Sequence, residues 1–294
     1  MQVIIYCNDE WVPAHEARVS VFDRGFLFGD GVYEGLRAFD GVIVDLPRHI
    51  HRMEQGLAEL RITGFDPARL GALSDEILRR NNLQNAFVYW QITRGAPASG
   101  EAVRSRLPAW QSRPTLTGFA IPSKPLTDHA APATATAATV EDTRWTRLHV
   151  KSIALSANIV GAIEASEQGA DEAIFVREGF VSEATASNVF AVIDGQVVTP
   201  ELGTPPMLEG VTRALVLASD PSISVRPLPV EELLSADEIL LVGSTAMVTS
   251  VLSLNGKPVG NGQVGPHAKR LLGLLVDAIK ADQARARRNA AASA

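Results

Sequence analysis

The sequence predicts a mixed α+β (α/β) protein of two domains. Short runs rich in Val, Ile, Tyr and Phe alternate with segments whose apolar residues recur at helical spacing. Many of the strand-like runs are neighbours joined by tight turns, which favours antiparallel sheets. Residues 122–138 are rich in Pro, Ala and Thr and lack strong periodicity, so they read as an inter-domain linker. The domains are expected at 1–121 and 139–294.

In the first domain, residues 3–7 and 10–13 read as strands joined by Asn8-Asp9. Residues 37–44 alternate around Asp40-Gly41-Val42 and read as a second hairpin. Pro47 opens a helix to about residue 62, with Ile50, Met53, Leu57 and Leu60 at helical spacing. A second helix is expected over 67–81, and strands over 87–93 and 116–121.

In the second domain, a helix over about 154–168 ends at Gly169. Short strands follow at 173–177, 180–182, 189–193 and 196–199, with turns at Glu178-Gly179 and Asp194-Gly195. A helix near 211–218 precedes strands near 224–226, 238–242 and 248–254. A last helix starts at about Pro266. Residues after about 283 lack an apolar stripe and are expected to fray.

Composition narrows the function. The chain has 294 residues, 46% hydrophobic and 20% charged, with a net charge of −6 and no long basic run. That disfavours nucleic-acid binding. Cys7 is the single cysteine, so an intrachain disulfide is impossible and a thiolate metal cluster is disfavoured. His49 and His51 stand at i, i+2, which on a helix puts them on different faces, so no metal is expected there. The opening run is expected not to be a signal peptide. No apolar run approaches the roughly 18 residues that a membrane span needs. A cytoplasmic protein is the expectation.

Five lysines are present, and four sit in loops, turns or on the wet face of the last helix. Lys151 differs, lying between Leu148-His149-Val150 and Ser152-Ile153-Ala154-Leu155. A lysine in apolar surroundings can attack a carbonyl to form a Schiff base. By itself it reads more readily as a lysine that snorkels to water.

Four other segments stand out. Residues 22–37 hold four glycines and four aromatic residues, including Tyr33, enough to line a pocket or to pack as a cap. Arg52 suits a phosphate because its planar fork meets two oxygens at once, although a solvated helix face is the ordinary reading. Glu183 leads into a run of small and hydroxyl residues that includes Ser187 and Asn188; it could hold a protonated ring nitrogen or simply precede a turn. Beyond Met207-Leu208-Glu209-Gly210, the N–H groups of Val211 and Thr212 fall at a helix start, a ready anion site, and Ser244 and Thr245 could serve likewise. A lysine for an aldehyde, donors for a phosphate and a carboxylate for a pyridine nitrogen are the parts that pyridoxal 5′-phosphate needs.

With these motifs in order, the chain resembles the class IV aminotransferases, pyridoxal-phosphate enzymes of fold type IV. The resemblance rests on Asp23-Arg24-Gly25, Gly29-Asp30-Gly31-Val32-Tyr33-Glu34, His49-Ile50-His51-Arg52, Lys151-Ser152, Gly169-Ala170-Asp171-Glu172-Ala173, Glu183, Ser187-Asn188-Val189-Phe190 and Gly210-Val211-Thr212-Arg213. It implies an N-terminal α+β sandwich and a C-terminal β-barrel-like domain with flanking helices. It also implies a homodimer, and an amino donor and a 2-oxo acid as substrates. Lys151 would form the Schiff base and shuttle the proton. Arg52, Val211, Thr212 and Thr245 would bind phosphate, with Ser187, Asn188 and Ser244 among the cofactor contacts. Glu183 would meet the pyridine N–H, and Leu208 would pack on the ring. Tyr33 would line the substrate pocket.

The subfamily signals are mixed. Tyr33-Glu34-Gly35-Leu36-Arg37 is similar to branched-chain enzymes, whereas Asp142-Thr143-Arg144-Trp145 and Thr93-Arg94-Gly95 are similar to D-amino-acid enzymes. The Arg-x-His carboxylate trap of the latter is replaced by Ser99 and Glu101. A D-amino-acid-type scaffold with an altered carboxylate site is the expectation, with Arg37, helped by Arg94 or Arg104, as carboxylate ligand. A branched-chain aminotransferase, an (R)-selective amine transaminase, a lyase of the aminodeoxychorismate type and a non-catalytic binding protein are the rivals.

Overall fold

The computed structural model describes residues 3–108 and 113–293. The chain forms two units: one reaches to Pro125 and takes back Val150–Leu155, and the other holds Leu126–His149 and Ser156 onward.

The first unit is built on a six-stranded antiparallel sheet. Its strands are β1 (Ile4–Cys7), β2 (Glu10–Pro13), β3 (Gly31–Phe39), β4 (Val42–Ile43), β5 (Ala86–Thr93) and β6 (Thr115–Pro122), in the order β2-β1-β6-β5-β3-β4. Asn8 and Asp9 take φ of 50° and 70°, the left-handed pair that a two-residue hairpin turn demands. A period of two then divides the sheet. Ala86, Val88, Trp90 and Ile92 of β5 and Leu36 and Ala38 of β3 are buried on one side. That side packs against α2 (Leu46–Leu60) and α3 (Leu70–Arg80) through Met53, Leu57, Leu70, Ile77 and Leu78. Each such fully buried side chain contributes roughly 1.5–3 kcal/mol. A short helix that the apolar pattern does not reveal, α1 (Arg24–Phe28), is capped by Asp23 accepting from Gly25 N–H at 2.8 Å.

The second unit is a nine-stranded mixed sheet. Its strands are β7 (Ala133–Glu141), β8 (Glu172–Arg177), β9 (Phe180–Ala184), β10 (Asn188–Ile193), β11 (Gln196–Thr199), β12 (Ser224–Val225), β13 (Glu238–Gly243), β14 (Met247–Leu254) and β15 (Lys257–Pro258). Its helices are α4 (Ser156–Glu167), α5 (Val211–Ser219), α6 (Val230–Leu234) and α7 (Pro266–Ser293).

Three expectations are corrected. Residues 133–138 are not linker but open β7, which lies between β14 and β8 and pairs parallel with both. Only Ala137, Ala138 and Val140 of this strand are buried, and its run of small Ala and Thr residues lacks the contrast between large apolar and polar side chains that marks a strand. Residues 284–293 continue α7 rather than fray, since Ala and Arg are strong helix formers; Ala294 lies outside the described residues. Residues 150–155 belong with the first unit, because their backbone bonds to the start of β3. Among the described residues, no helix is long and apolar enough to cross a membrane.

Candidate functional site

Lys151 is carried into the first unit by its backbone. The Tyr33 N–H donates to the Lys151 carbonyl at 3.0 Å, the Ile153 N–H donates to the Gly31 carbonyl at 3.1 Å, and Val32 and Ser152 form an antiparallel bridge. The Gly29-Asp30-Gly31 motif makes room for this. A Cβ on Gly31 would lie 2.5 Å from the Ile92 carbonyl oxygen, and Gly29 adopts φ +67° against Ala154. The half-buried Lys151 amine lies 4.4 Å from the centroid of the Tyr33 ring. Tyr33 stacks on Tyr89 at 5.4 Å, and Tyr89 on Phe119 at 4.9 Å, so three strands brace the ring beneath the amine.

Arg52 is not a solvated helix residue. It is 7% exposed, and its Nε and Nη2 donate to the two carboxylate oxygens of Glu34, each at 2.7 Å. His49 Nδ1 lies 2.6 Å from Glu34 Oε2. Burial alone would raise the Glu34 carboxyl, but Arg52 and His49 outweigh it and hold the group down at about 2.

Arg37 shares the Tyr33 face of β3, four residues on and so roughly 13 Å along the strand. Its guanidinium lies 4.9 Å over Phe39 and donates to the Lys124 carbonyl at 3.1 Å. Burial pushes its pKa down, so an incoming anion would find a poorly hydrated cation. Arg94, the other expected substrate arginine, is turned elsewhere. It donates to Asp30 from Nε and Nη2, and to the carbonyls of Leu60 and Arg61 from Nη2 and Nη1. Asp30 also takes Arg24 Nε at 2.8 Å. Arg94 therefore clamps the end of α2. Glu101, which stands where a trap histidine would be, accepts from Ala98 N–H and closes its own turn.

In the second unit, Glu183 is the penultimate residue of β9 and is 7% exposed. Its Oε1 accepts from Arg144 Nη1 at 2.8 Å and its Oε2 from the Leu208 N–H at 3.1 Å. Arg144 is gripped by Asp142 through Nε and Nη2, and lies 4.1 Å over the Phe175 ring. Arg177 also reaches Asp142, at 3.1 Å. Burial would raise the Asp142 carboxyl, yet Arg144 first and then Arg177 bring it below its ordinary value.

Asn188 donates from Nδ2 to the Leu208 carbonyl at 3.0 Å, which ties down the loop before α5. A Cβ on Gly210 would fall 1.9 Å from Asn188 Oδ1, so only glycine fits there. Gly210 also leaves α5 with no side-chain cap and no acidic residue in its first turn. Buried Val211 and Thr212 thus present a helix start suited to an anion. Ser187 packs beside Gly243, and Ser244 and Thr245 occupy the turn between β13 and β14.

The first unit holds an amine braced on an aromatic ring; the second, taken by itself, holds a carboxylate fixed in orientation and an uncapped helix start. Sequence reasoning did not assign roles to Glu34, His49, Asp142 or Arg144. Glu34 left one signal: it occupies the core-facing parity of β3, between Val32 and Leu36.

Known proteins point the same way. The sequence model of the family described as amino-transferase class IV matches residues 31–254. A D-alanine aminotransferase of Staphylococcus haemolyticus is 34% identical over 273 residues, 91% of this chain and 94% of that protein. A putative branched-chain-amino-acid aminotransferase of Methanocaldococcus jannaschii is 36% identical over 279 residues, 91% of this chain and 93% of that protein. Among solved structures, a T.th. branched-chain amino acid aminotransferase with pyridoxamine 5′-phosphate has a TM-score of 0.85 at 27% identity, covering 96% of this chain and 95% of the other. The Escherichia coli branched-chain enzyme has a TM-score of 0.81 at 25% identity, covering 92% of each chain.

Proposed function

Because this chain belongs to the class IV aminotransferases, we propose that it moves an amino group between a D-amino acid and a 2-oxo acid, pyruvate or 2-oxoglutarate, with pyridoxal 5′-phosphate as cofactor. The observation that carries this reading is the Lys151 amine braced on Tyr33. When bound, pyridoxal phosphate supplies an aldehyde for the amino group and a ring that accepts electrons from the substrate α-carbon.

Lys151 holds the aldehyde carbon and moves the proton off and onto the substrate α-carbon. Arg52 takes the phosphate, as do the N–H groups of Val211 and Thr212 and the hydroxyl of Thr245, with Ser187, Asn188 and Ser244 nearby in role. Glu183 accepts the N–H of the pyridine nitrogen, and Leu208 covers the ring. Tyr33 lines the substrate pocket, and Arg37 binds a substrate carboxylate, supported by its desolvated guanidinium on the Tyr33 face. A homodimer in the cytoplasm is part of the proposal. Phe22 and Phe26 in the first unit and Ile159, Val160 and Ile163 on α4 are exposed apolar residues that a second copy could cover.

A branched-chain L-amino-acid donor is the second reading, favoured by Tyr33-Glu34-Gly35-Leu36-Arg37 and by the Methanocaldococcus jannaschii relative. A donor panel of D-alanine, L-leucine and (R)-1-phenylethylamine, each with pyruvate or 2-oxoglutarate as suited, separates the readings. Turnover of D-alanine above L-leucine supports the proposal; the reverse order replaces it with the branched-chain reading.

A further inference from the structure

We propose that Glu34, backed by His49, is the residue that positions Arg52 for a phosphate group. The inference rests on the reading of Arg52 as a phosphate ligand. Glu34 lies on the helix-covered side of β3, at 0% exposure, between core residues Val32 and Leu36. Both of its oxygens meet the same guanidinium, at 2.7 Å from Nε and 2.7 Å from Nη2. That two-point grip fixes the plane of the fork as a single contact could not.

His49 completes the device. It stands three residues before Arg52 on α2, so both side chains lie on one face of the helix. It is 1% exposed and 2.6 Å from Glu34 Oε2. The order of support runs from His49 to Glu34 to Arg52, and Arg52 is the outermost member of the three at 7% exposure.

Burying such a cluster rarely gains stability over apolar residues of equal volume, because the desolvation of the charges offsets their attraction. Conformational specificity is the better account: a guanidinium held along its Nε–Nη2 edge keeps one orientation toward whatever meets its outer side. Gln in place of Glu34 would turn an amide N–H₂ toward guanidinium N–H donors. The two-point grip would open, and Arg52 would lose its orientation.

The test uses the cofactor-free protein titrated with pyridoxal phosphate and with pyridoxal, which lacks the phosphate, followed by tryptophan fluorescence. Glu34→Gln should weaken pyridoxal phosphate about tenfold while changing pyridoxal by less than about twofold. His49→Gln should show the same selectivity with a smaller loss, and carries the test should Glu34→Gln fail to fold. Equal losses for both ligands would overturn the inference, since a merely structural role would not distinguish them. Unchanged or tighter pyridoxal phosphate binding by Glu34→Gln would also overturn it, because Glu34 would then compete with phosphate for Arg52. Arg52→Ala separates the two levels. If it retains the parent's preference for pyridoxal phosphate over pyridoxal, the phosphate-ligand reading itself fails; if it loses that preference while Glu34→Gln keeps it, only the positioning inference fails.

Discussion

Arg144 donates from Nη1 to Oε1 of Glu183 at 2.8 Å, and the other Glu183 oxygen takes the Leu208 N–H. Arg144 is itself fixed by Asp142 and by the face of Phe175. The support therefore runs Asp142 to Arg144 to Glu183, and it leaves the carboxylate one orientation. A partner for a protonated ring nitrogen needs that property, since a rotating carboxylate would hold the proton only part of the time.

Removing Arg144 takes its guanidinium from two buried carboxylates, leaving Asp142 with Arg177 and Glu183 with the Leu208 N–H. Arg144→Met should cost about 3–5 kcal/mol, read as a lower urea midpoint at unchanged slope. Arg144→Lys should recover less than half of that, because an ammonium cannot grip Asp142 at two points.

The Glu34 cluster sets an acid limb. Its carboxyl titrates at about 2 in the folded chain against an ordinary 4.5. A lowered folded-state value means the stabilisation is complete above about 4.5 and disappears as the pH falls toward about 2. The pair contributes on the order of 3 kcal/mol at neutral pH. Urea unfolding from pH 7 to pH 3 should show about 2 kcal/mol of this loss, and Glu34→Gln should flatten that limb. An acid limb unchanged by Glu34→Gln would assign it to other carboxylates.

Arg94 and Arg37 should separate in kinetics. Arg94→Gln breaks the clamp on Asp30 and the end of α2, so stability should fall by about 3 kcal/mol with KM shifted less than about twofold. Arg37→Ala should raise KM for amino acids about tenfold or more with little change in stability. Steady-state kinetics beside thermal melts decide it, and an unchanged KM in Arg37→Ala removes Arg37 from the substrate site.

Much of this was legible in the residues, and the exceptions have physical reasons. The β1–β2 hairpin followed from Asn8-Asp9, because few residues tolerate two successive positive φ angles. The strand expected over 87–93 is β5. β7 was missed because its small Ala and Thr residues carry no contrast between large apolar and polar side chains. The return of residues 150–155 to the first unit depends on backbone bonds to Gly31 and Tyr33, which no local pattern encodes. Lys151 and Glu183 could be singled out as candidates by residue type and surroundings. Arg94 could not be sorted from Arg37 by sequence, because both are arginines near the glycine-rich stretch, and only their partners differ. Glu34, His49 and Arg144 act through other side chains, across separations of 18, 15 and 39 residues to the group each one supports.

The central claim is that Lys151 is the reacting amine, and a half-reaction tests it most directly. The parent protein and Lys151→Ala are loaded with pyridoxal phosphate and given D-alanine with no acceptor, while absorbance and pyruvate are followed. The account predicts a visible Schiff-base band in the parent that fades as about one equivalent of pyruvate per chain appears, and returns on adding 2-oxoglutarate. Lys151→Ala should release no pyruvate on that timescale. Pyruvate from Lys151→Ala at the parent's rate would contradict the claim.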